Sequence, residues 1–121
     1  MILEKIKELL DCQILCGSDQ LQIDVISAKA SDLMSDVLRF SEPGKLLLTG
    51  LTNIQVIRTC DIAGICAVVF VRGKEPSPKT VELSKDCGIA LLTTSLSMFD
   101  SCGILYANGI KGVTIKQENN E

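Results

Sequence analysis

The sequence predicts an α/β fold, a three-layer α/β/α sandwich around a mainly parallel sheet that could also be mixed. Three apolar runs, LLLT, CAVVFV and IALL, follow residue 44. Strands without polar alternation are typically buried on both faces. Each run is followed by an amphipathic segment of about ten residues, which is long enough for the helix of a parallel crossover. Aromatic residues make up only 3% of the chain, so the core is expected to be aliphatic.

The first third of the chain is expected to supply two helices and two short strands. The expected elements are a helix over 2–10, strands over 12–16 and 21–27, and a helix over 32–40 with its N-cap at Ser31. Apolar and polar residues alternate in the second strand, as in a strand with one buried face. Residues 12–28 could therefore add an antiparallel pair to the sheet.

Cap residues mark the three helices that follow the apolar runs. Thr52 and Gln55 fit a capping box for a helix over 53–63, which Gly64 would end. The remaining caps are Ser77 with Pro78 and Gly88 for residues 78–87, and Ser97 and Gly109 for the last helix.

Length and composition limit the classes of protein. A chain of 121 residues is long enough for one core, so a single domain over 1–121 is expected, with 116–121 as a frayed tail. The first ten residues carry four charges, so we expect no signal peptide there. No window approaches the roughly 18 apolar residues of a spanning helix, so we expect a soluble, cytoplasmic protein without membrane contact. The net charge of −3 and the few aromatics argue against a nucleic-acid partner.

Catalytic and metal-binding motifs are not found in the sequence. It contains no phosphate loop, no dinucleotide fingerprint, no nucleophile elbow and no histidine. We therefore expect no enzymatic activity, no cofactor and no metal. The aspartates of the first third are scattered and are expected on the solvated surface: Asp11, Asp19, Asp24, Asp32 and Asp36.

The six cysteines form no C-x-x-C pair and mostly lie within apolar patterns. This favours a packing role over a redox or metal role. A thiol-based sensor remains the alternative reading of Cys12, Cys16, Cys60, Cys66, Cys87 and Cys102.

Polar residues follow the three apolar strands, where ligands of open α/β sheets usually bind. An anion could be held there by backbone N–H groups and helix dipoles. The alternative is a set of plain turns, because tight βα turns also need Gly, Ser and Thr. The candidate ligand-binding residues are Gly50, Asn53, Arg72, Gly73, Thr93 and Thr94.

Residues 67–110, AVVFVRGKEPSPKTVELSKDCGIALLTTSLSMFDSCGILYANGI, resemble the DRTGG domain and, more distantly, the N-terminal domain of bacterial HPr kinase/phosphorylase. The shared pattern is an apolar strand, R-G-x-x-P-x-P, a helix, GI-L-L-T-T and a helix opening S-x-F. The resemblance covers roughly residues 20–112 and implies a three-layer sandwich with a regulatory role in sensing, small-ligand binding or subunit contact. The kinase's phosphate loop lies in another domain, so no kinase activity is implied.

The family's turn after the first buried strand is typically G-D-R-x-D, whereas this chain has Gly50-Leu51-Thr52-Asn53. Arg72 is therefore the better candidate for anion contact. The leading hypothesis is a non-enzymatic regulatory module that binds a nucleotide or another anion. The resemblance adds a link to iron-only hydrogenase or anaerobic redox metabolism. The mean hydropathy of +0.31 favours a homodimer. The alternatives are a pure protein-interaction module and the thiol-based redox sensor.

Overall fold

A computed structural model describes residues 1–39 and 44–112 of the chain. They form α-helices and β-strands with a short 3-10 turn at Ser18–Gln20. The elements are α1 Leu3–Leu9, β1 Gln13–Cys16, β2 Ser27–Ala30, α2 Met34–Arg39, β3 Lys45–Thr49, α3 Ile54–Ala63, β4 Ile65–Phe70, α4 Pro78–Cys87, β5 Ala90–Thr93 and α5 Met98–Ala107.

The five strands form one sheet in the order β1-β5-β4-β3-β2. Strands β2, β3, β4 and β5 are parallel to one another, and β1 is antiparallel to β5. The predicted α/β fold with a mainly parallel, mixed sheet is confirmed. The predicted antiparallel pair from residues 12–28 is wrong, because β1 and β2 lie at opposite edges of the sheet.

Helices cover both faces of the sheet and create two aliphatic cores. Leu46 and Leu48 of β3 pack with α1 and α5, whereas Leu47 faces the opposite core with α2, α3 and α4. All three leucines are at most 1% exposed, as is Phe70 in β4. A strand buried on both faces needs no polar alternation, which explains the continuous apolar runs.

The predicted strand over 21–27 is wrong, since β2 begins only at Ser27. The preceding residues instead run along the start of α1. Leu3 N donates to Ile23 O at 3.0 Å, and Val25 N donates to Met1 O at 2.7 Å. These bonds form an isolated antiparallel bridge between Ile2 and Asp24. Alternating burial here comes from this bridge and from packing against α1, and not from pairing within the five-stranded sheet.

The capping box predicted at Thr52 and Gln55 is also wrong. Asn53 is the N-cap of α3, and its Oδ1 accepts a hydrogen bond from Gln55 N at 3.0 Å. Asn53 has the extended backbone that an N-cap needs and an oxygen within reach of the second helical N–H. Gly64 ends the helix in the left-handed conformation, as predicted.

The predicted boundaries of α4 are confirmed, because strong local signals define both ends. Ser77 Oγ accepts from Thr80 N, Pro78 is the first helical residue, and Gly88 is left-handed. Helix α5 begins after its predicted cap, Ser97, and ends at Ala107, before the predicted Gly109.

Helix α2 begins at Met34, two residues after the predicted start, and Ser31 Oγ accepts from Leu33 N. The predicted end of that helix at residue 40 and the predicted tail over 116–121 lie outside the described residues.

Candidate functional site

The predicted ligand-binding residues lie at the carboxyl ends of three parallel strands. In the sheet register Thr49 is opposite Phe70, and Phe70 is opposite Thr93. The turns after β3, β4 and β5 therefore share one edge of the sheet, which we call the strand-end edge. It carries Gly50, Arg72, Gly73, Thr93 and Thr94, and Asn53 lies beside it at the start of α3.

Asp32 is a member of this edge that the sequence analysis missed. Its Oδ1 accepts hydrogen bonds from Gly50 N and from Thr49 Oγ1, both at 2.8 Å. These bonds from Gly50 and Thr49, together with the nearby charge of Arg72, lower the pKa of the Asp32 carboxyl below its usual value. The signal that could have found Asp32 is its place just after β2, which the sequence analysis located too early in the chain.

Arg72 has an uncommon backbone conformation, with φ +59° for a residue that is not glycine. Two hydrogen bonds hold the turn: Arg72 N donates to Leu96 O at 2.8 Å, and Gly73 N donates to Thr94 O at 2.7 Å. The side chain is exposed and lies over Gly50, where a Cβ would come within 2.5 Å of Nη2. The turn thus fixes the start of a side chain whose guanidinium reaches the neighbouring strand end.

Thr93 and Thr94 are buried, and their hydroxyls are used inside the protein. Thr93 Oγ1 donates to Lys74 O at 2.8 Å, and Thr94 Oγ1 donates to Leu10 O at 2.6 Å. The backbone N–H of Thr94 donates to Phe70 O at 2.9 Å. The N–H groups of Gly50, Arg72, Gly73 and Thr94 therefore all have protein acceptors, which is the behaviour of structural turns.

The two sides of the strand-end edge differ in charge. A cleft of about 230 Å³ opens at its β5 side. Its lining contains two carboxylates and, within the described part of the chain, no cation: Asp11, Gln13, Gly73, Glu75, Thr93, Thr94 and Ser95. These carboxylates disfavour an anion in the cleft. On the other side of the edge the exposed cation Arg72 lies over Gly50, and the Asp32 carboxylate, bonded to Gly50 N, lies close to it.

Known structures contain a similar fold. The chain superposes on a crystal structure of the regulatory region of Clostridium perfringens pyrophosphatase, which comprises CBS and DRTGG domains and is complexed with its activator, diadenosine tetraphosphate. The TM-score is 0.71, with 15% sequence identity over 86% of this chain. The chain has a DRTGG-like fold. It spans 45% of the pyrophosphatase chain, and the resemblance to the HPr kinase domain gains no support from this structure.

Sequence comparisons add nothing to this DRTGG-like fold. A scan against protein-family models finds no match, and neither does a search of curated proteins.

The cysteines of the DRTGG-like fold are free thiols, and Cys12, Cys16 and Cys60 are buried. Burial raises the pKa of Cys12 and of Cys60 to about 12. A thiol that stays protonated is a poor nucleophile, which favours a packing role for Cys12 and Cys60. Within residues 1–39 and 44–112, no three Cys, Asp or Glu side chains are arranged to hold a metal ion, and none of the helices is long and apolar enough to cross a bilayer.

Proposed function

We propose that this chain is a non-enzymatic regulatory module that binds a nucleotide or another anion at the strand-end edge through Arg72. The observation that carries the proposal is the left-handed backbone of Arg72. This conformation costs a residue with a side chain about 1–2 kcal/mol. Such strain persists only where the surroundings enforce it, and it is common at ligand-binding sites. Here it accompanies an exposed guanidinium above Gly50.

The chemistry of Arg72 fits a phosphate-bearing ligand. A guanidinium donates two parallel hydrogen bonds to phosphate or carboxylate oxygens. Helix α3 begins beside it at Asn53, and the positive end of the helix dipole favours negative charge there. The activator bound to the pyrophosphatase region of similar fold is also a polyphosphate. We therefore assign direct contact to Arg72 and Asn53, and to Gly50 the role of leaving room for the Arg72 guanidinium, because its N–H already donates to Asp32.

Gly73, Thr93 and Thr94 have a different role in this proposal. Their polar groups are already bonded to Thr94 O, Lys74 O and Leu10 O. We assign them to positioning the turn that carries Arg72.

The proposal includes a homodimer and a cytoplasmic location. Phe99 is 86% exposed and Tyr106 is 61% exposed, and large exposed apolar residues on one helix favour a surface that a protein partner covers. The same observation favours the second candidate function, a protein-interaction module without a small ligand. A link to iron-only hydrogenase or anaerobic redox metabolism rests on the family resemblance alone.

Isothermal titration with diadenosine tetraphosphate, ATP, AMP and inorganic phosphate tests the ligand. We expect at least one of them to bind, and we expect Arg72→Ala to weaken binding by about tenfold to a hundredfold, the worth of a charged hydrogen bond. Lys85→Ala is the matched control. It also removes one positive charge, but in the last turn of α4, at the end of the sheet opposite to the strand-end edge. It should leave binding unchanged. If the wild type binds none of these ligands at millimolar concentration, or if both variants bind equally, the ligand proposal is wrong.

A further inference from the structure

The outward face of α5 differs in chemistry from that of α4. Phe99, Gly103 and Tyr106 are exposed and lie four and three residues apart, so they share one stripe of α5. The helix holds one charged residue, Asp100. The exposed positions of α4, by contrast, include Lys79, Glu82, Lys85 and Asp86. A helix that is apolar on all sides is usually covered on all sides.

We infer that this stripe is the surface through which two copies of the chain pair, with their α5 helices antiparallel about a two-fold axis at Gly103. Gly103 lies midway between Asp100 and Tyr106, three residues from each. A Cβ on Gly103 would meet nothing within 4 Å, so the surface there is open. A glycine at the crossing point lets two helices approach to about 8 Å.

Charge complementarity identifies the occupant as a second copy. Lys111 Nζ lies 3.7 Å from the centre of the Tyr106 ring, so a positive charge stands at the C-terminal end of the stripe. Asp100 places a negative charge at the other end. The two-fold axis brings Asp100 of each copy to Tyr106 and Lys111 of the other. Each interface therefore contains two equivalent pairs of opposite charges.

A mainly apolar cavity lies beside the stripe. About 100 Å³ of mainly apolar space opens next to the C-terminal half of α5, lined there by Cys102, Leu105 and Tyr106. In the antiparallel arrangement Phe99 of the second copy lies opposite Ala107, one turn from the axis at Gly103. The inference rests on the homodimer of the proposed function but not on ligand binding.

Light scattering after size-exclusion chromatography, over a range of concentrations, tests the interface. We expect a dimer for the wild type and a dissociation constant raised by about tenfold or more for Phe99→Asp, because an apolar contact would be replaced by a charge buried within the interface. Ile62→Asp is the control. It makes the same kind of change at a residue that is 76% exposed on α3, and it should leave the dimer intact.

A charge exchange gives a second readout that does not depend on removing an apolar group. Asp100→Lys and Lys111→Asp should each weaken the dimer, and the double variant should recover most of the loss. A wild type that is monomeric throughout would overturn both the interface and the homodimer. A Phe99→Asp dimer as stable as that of Ile62→Asp, or a double variant without recovery, would overturn this interface and leave the homodimer standing.

Discussion

Arg72 and Gly50 approach so closely that a Cβ on Gly50 would lie 2.5 Å from Arg72 Nη2. The backbone of Gly50 does not have a positive φ, in contrast to that of Gly73. Glycine at position 50 therefore serves the guanidinium and not the conformation of the turn. The two glycines of the strand-end edge should respond differently to alanine.

Gly50→Ala is expected to displace the Arg72 guanidinium, which is the flexible end of a side chain. The free energy of unfolding should change by no more than about 0.5 kcal/mol, while the affinity for ATP should fall. Gly73→Ala should instead lose about 1 kcal/mol of stability, because its φ of +68° suits glycine. Urea unfolding and titration calorimetry separate the two effects, and an unchanged affinity in Gly50→Ala would contradict the assignment.

The hydrogen bonds that Asp32 accepts make its contribution dependent on pH. Its pKa is lowered in the folded protein by Gly50 N–H and Thr49 Oγ1–H. The stabilisation is therefore present above the unfolded pKa of about 3.9 and is lost as the pH falls through the folded pKa. Because the carboxylate is solvent-exposed, Asp32→Ala should cost only about 1 kcal/mol near neutral pH, and less at an acid pH below the folded pKa.

Asp32→Asn, which retains an acceptor oxygen, is the control for this prediction. Unfolding curves of both variants at the two pH values provide the measurement. An equal loss at both pH values would show that ionisation plays no part.

The N-cap of α3 can be assigned by two single substitutions. Asn53→Ala should lower the free energy of unfolding by about 1 kcal/mol, since Gln55 N loses its acceptor. Thr52→Ala should change it by less than about 0.5 kcal/mol. Thermal unfolding of both variants measures the two losses of stability. A larger loss for Thr52→Ala than for Asn53→Ala would support the capping box instead.

Buried thiols should limit stability in alkali. The pKa of Cys60 is raised from 9.0 to about 12 by burial, so above about pH 9 the thiol ionises in the unfolded chain while it stays protonated in the folded one. Stability should decline with rising pH by up to about 1.4 kcal/mol per pH unit for such a thiol. Cys60→Ala should show a shallower decline in urea unfolding, and parallel curves for the two proteins would disprove this.

Ser101 and Ser84 are both fully buried, yet their hydroxyls differ in bonding. Ser84 Oγ donates to Ile89 O at 2.7 Å, whereas Ser101 Oγ has no hydrogen-bond partner among the described residues. Ser101→Ala should therefore stabilise the fold by about 1 kcal/mol, and Ser84→Ala should destabilise it by a similar amount. Equal destabilisation by both substitutions would indicate that Ser101 has a partner after all.

Local signals predicted the elements of the chain after residue 44 well. Helix α4 has its N-cap, its first-turn proline and its terminal glycine within a dozen residues, so short-range chemistry defines both ends. The alternating residues before β2 were misread because their hydrogen-bond partners are Met1 and Leu3, about twenty residues earlier. Period-two burial shows that one face is covered but does not show what covers it.

The same limit applies to the site. The sequence placed six residues at one edge of the sheet because parallel strands end together, and the structure confirms that placement for the strand ends. The sequence could not show that Thr94 Oγ1 donates to Leu10 O or that Gly50 N donates to Asp32 Oδ1. These hydrogen bonds join distant parts of the chain. That the six predicted residues bind a ligand stays a prediction.

The position of β1 and β2 at the two margins of the sheet has a consequence for biosynthesis. Both strands leave the ribosome before the three central strands, β3, β4 and β5, exist. Strand β1 pairs with β5, the last strand of this sheet to be made. Strand β1 therefore remains unpaired until about three quarters of these 121 residues have been translated. Only then can it pair with β5 and complete this margin of the sheet.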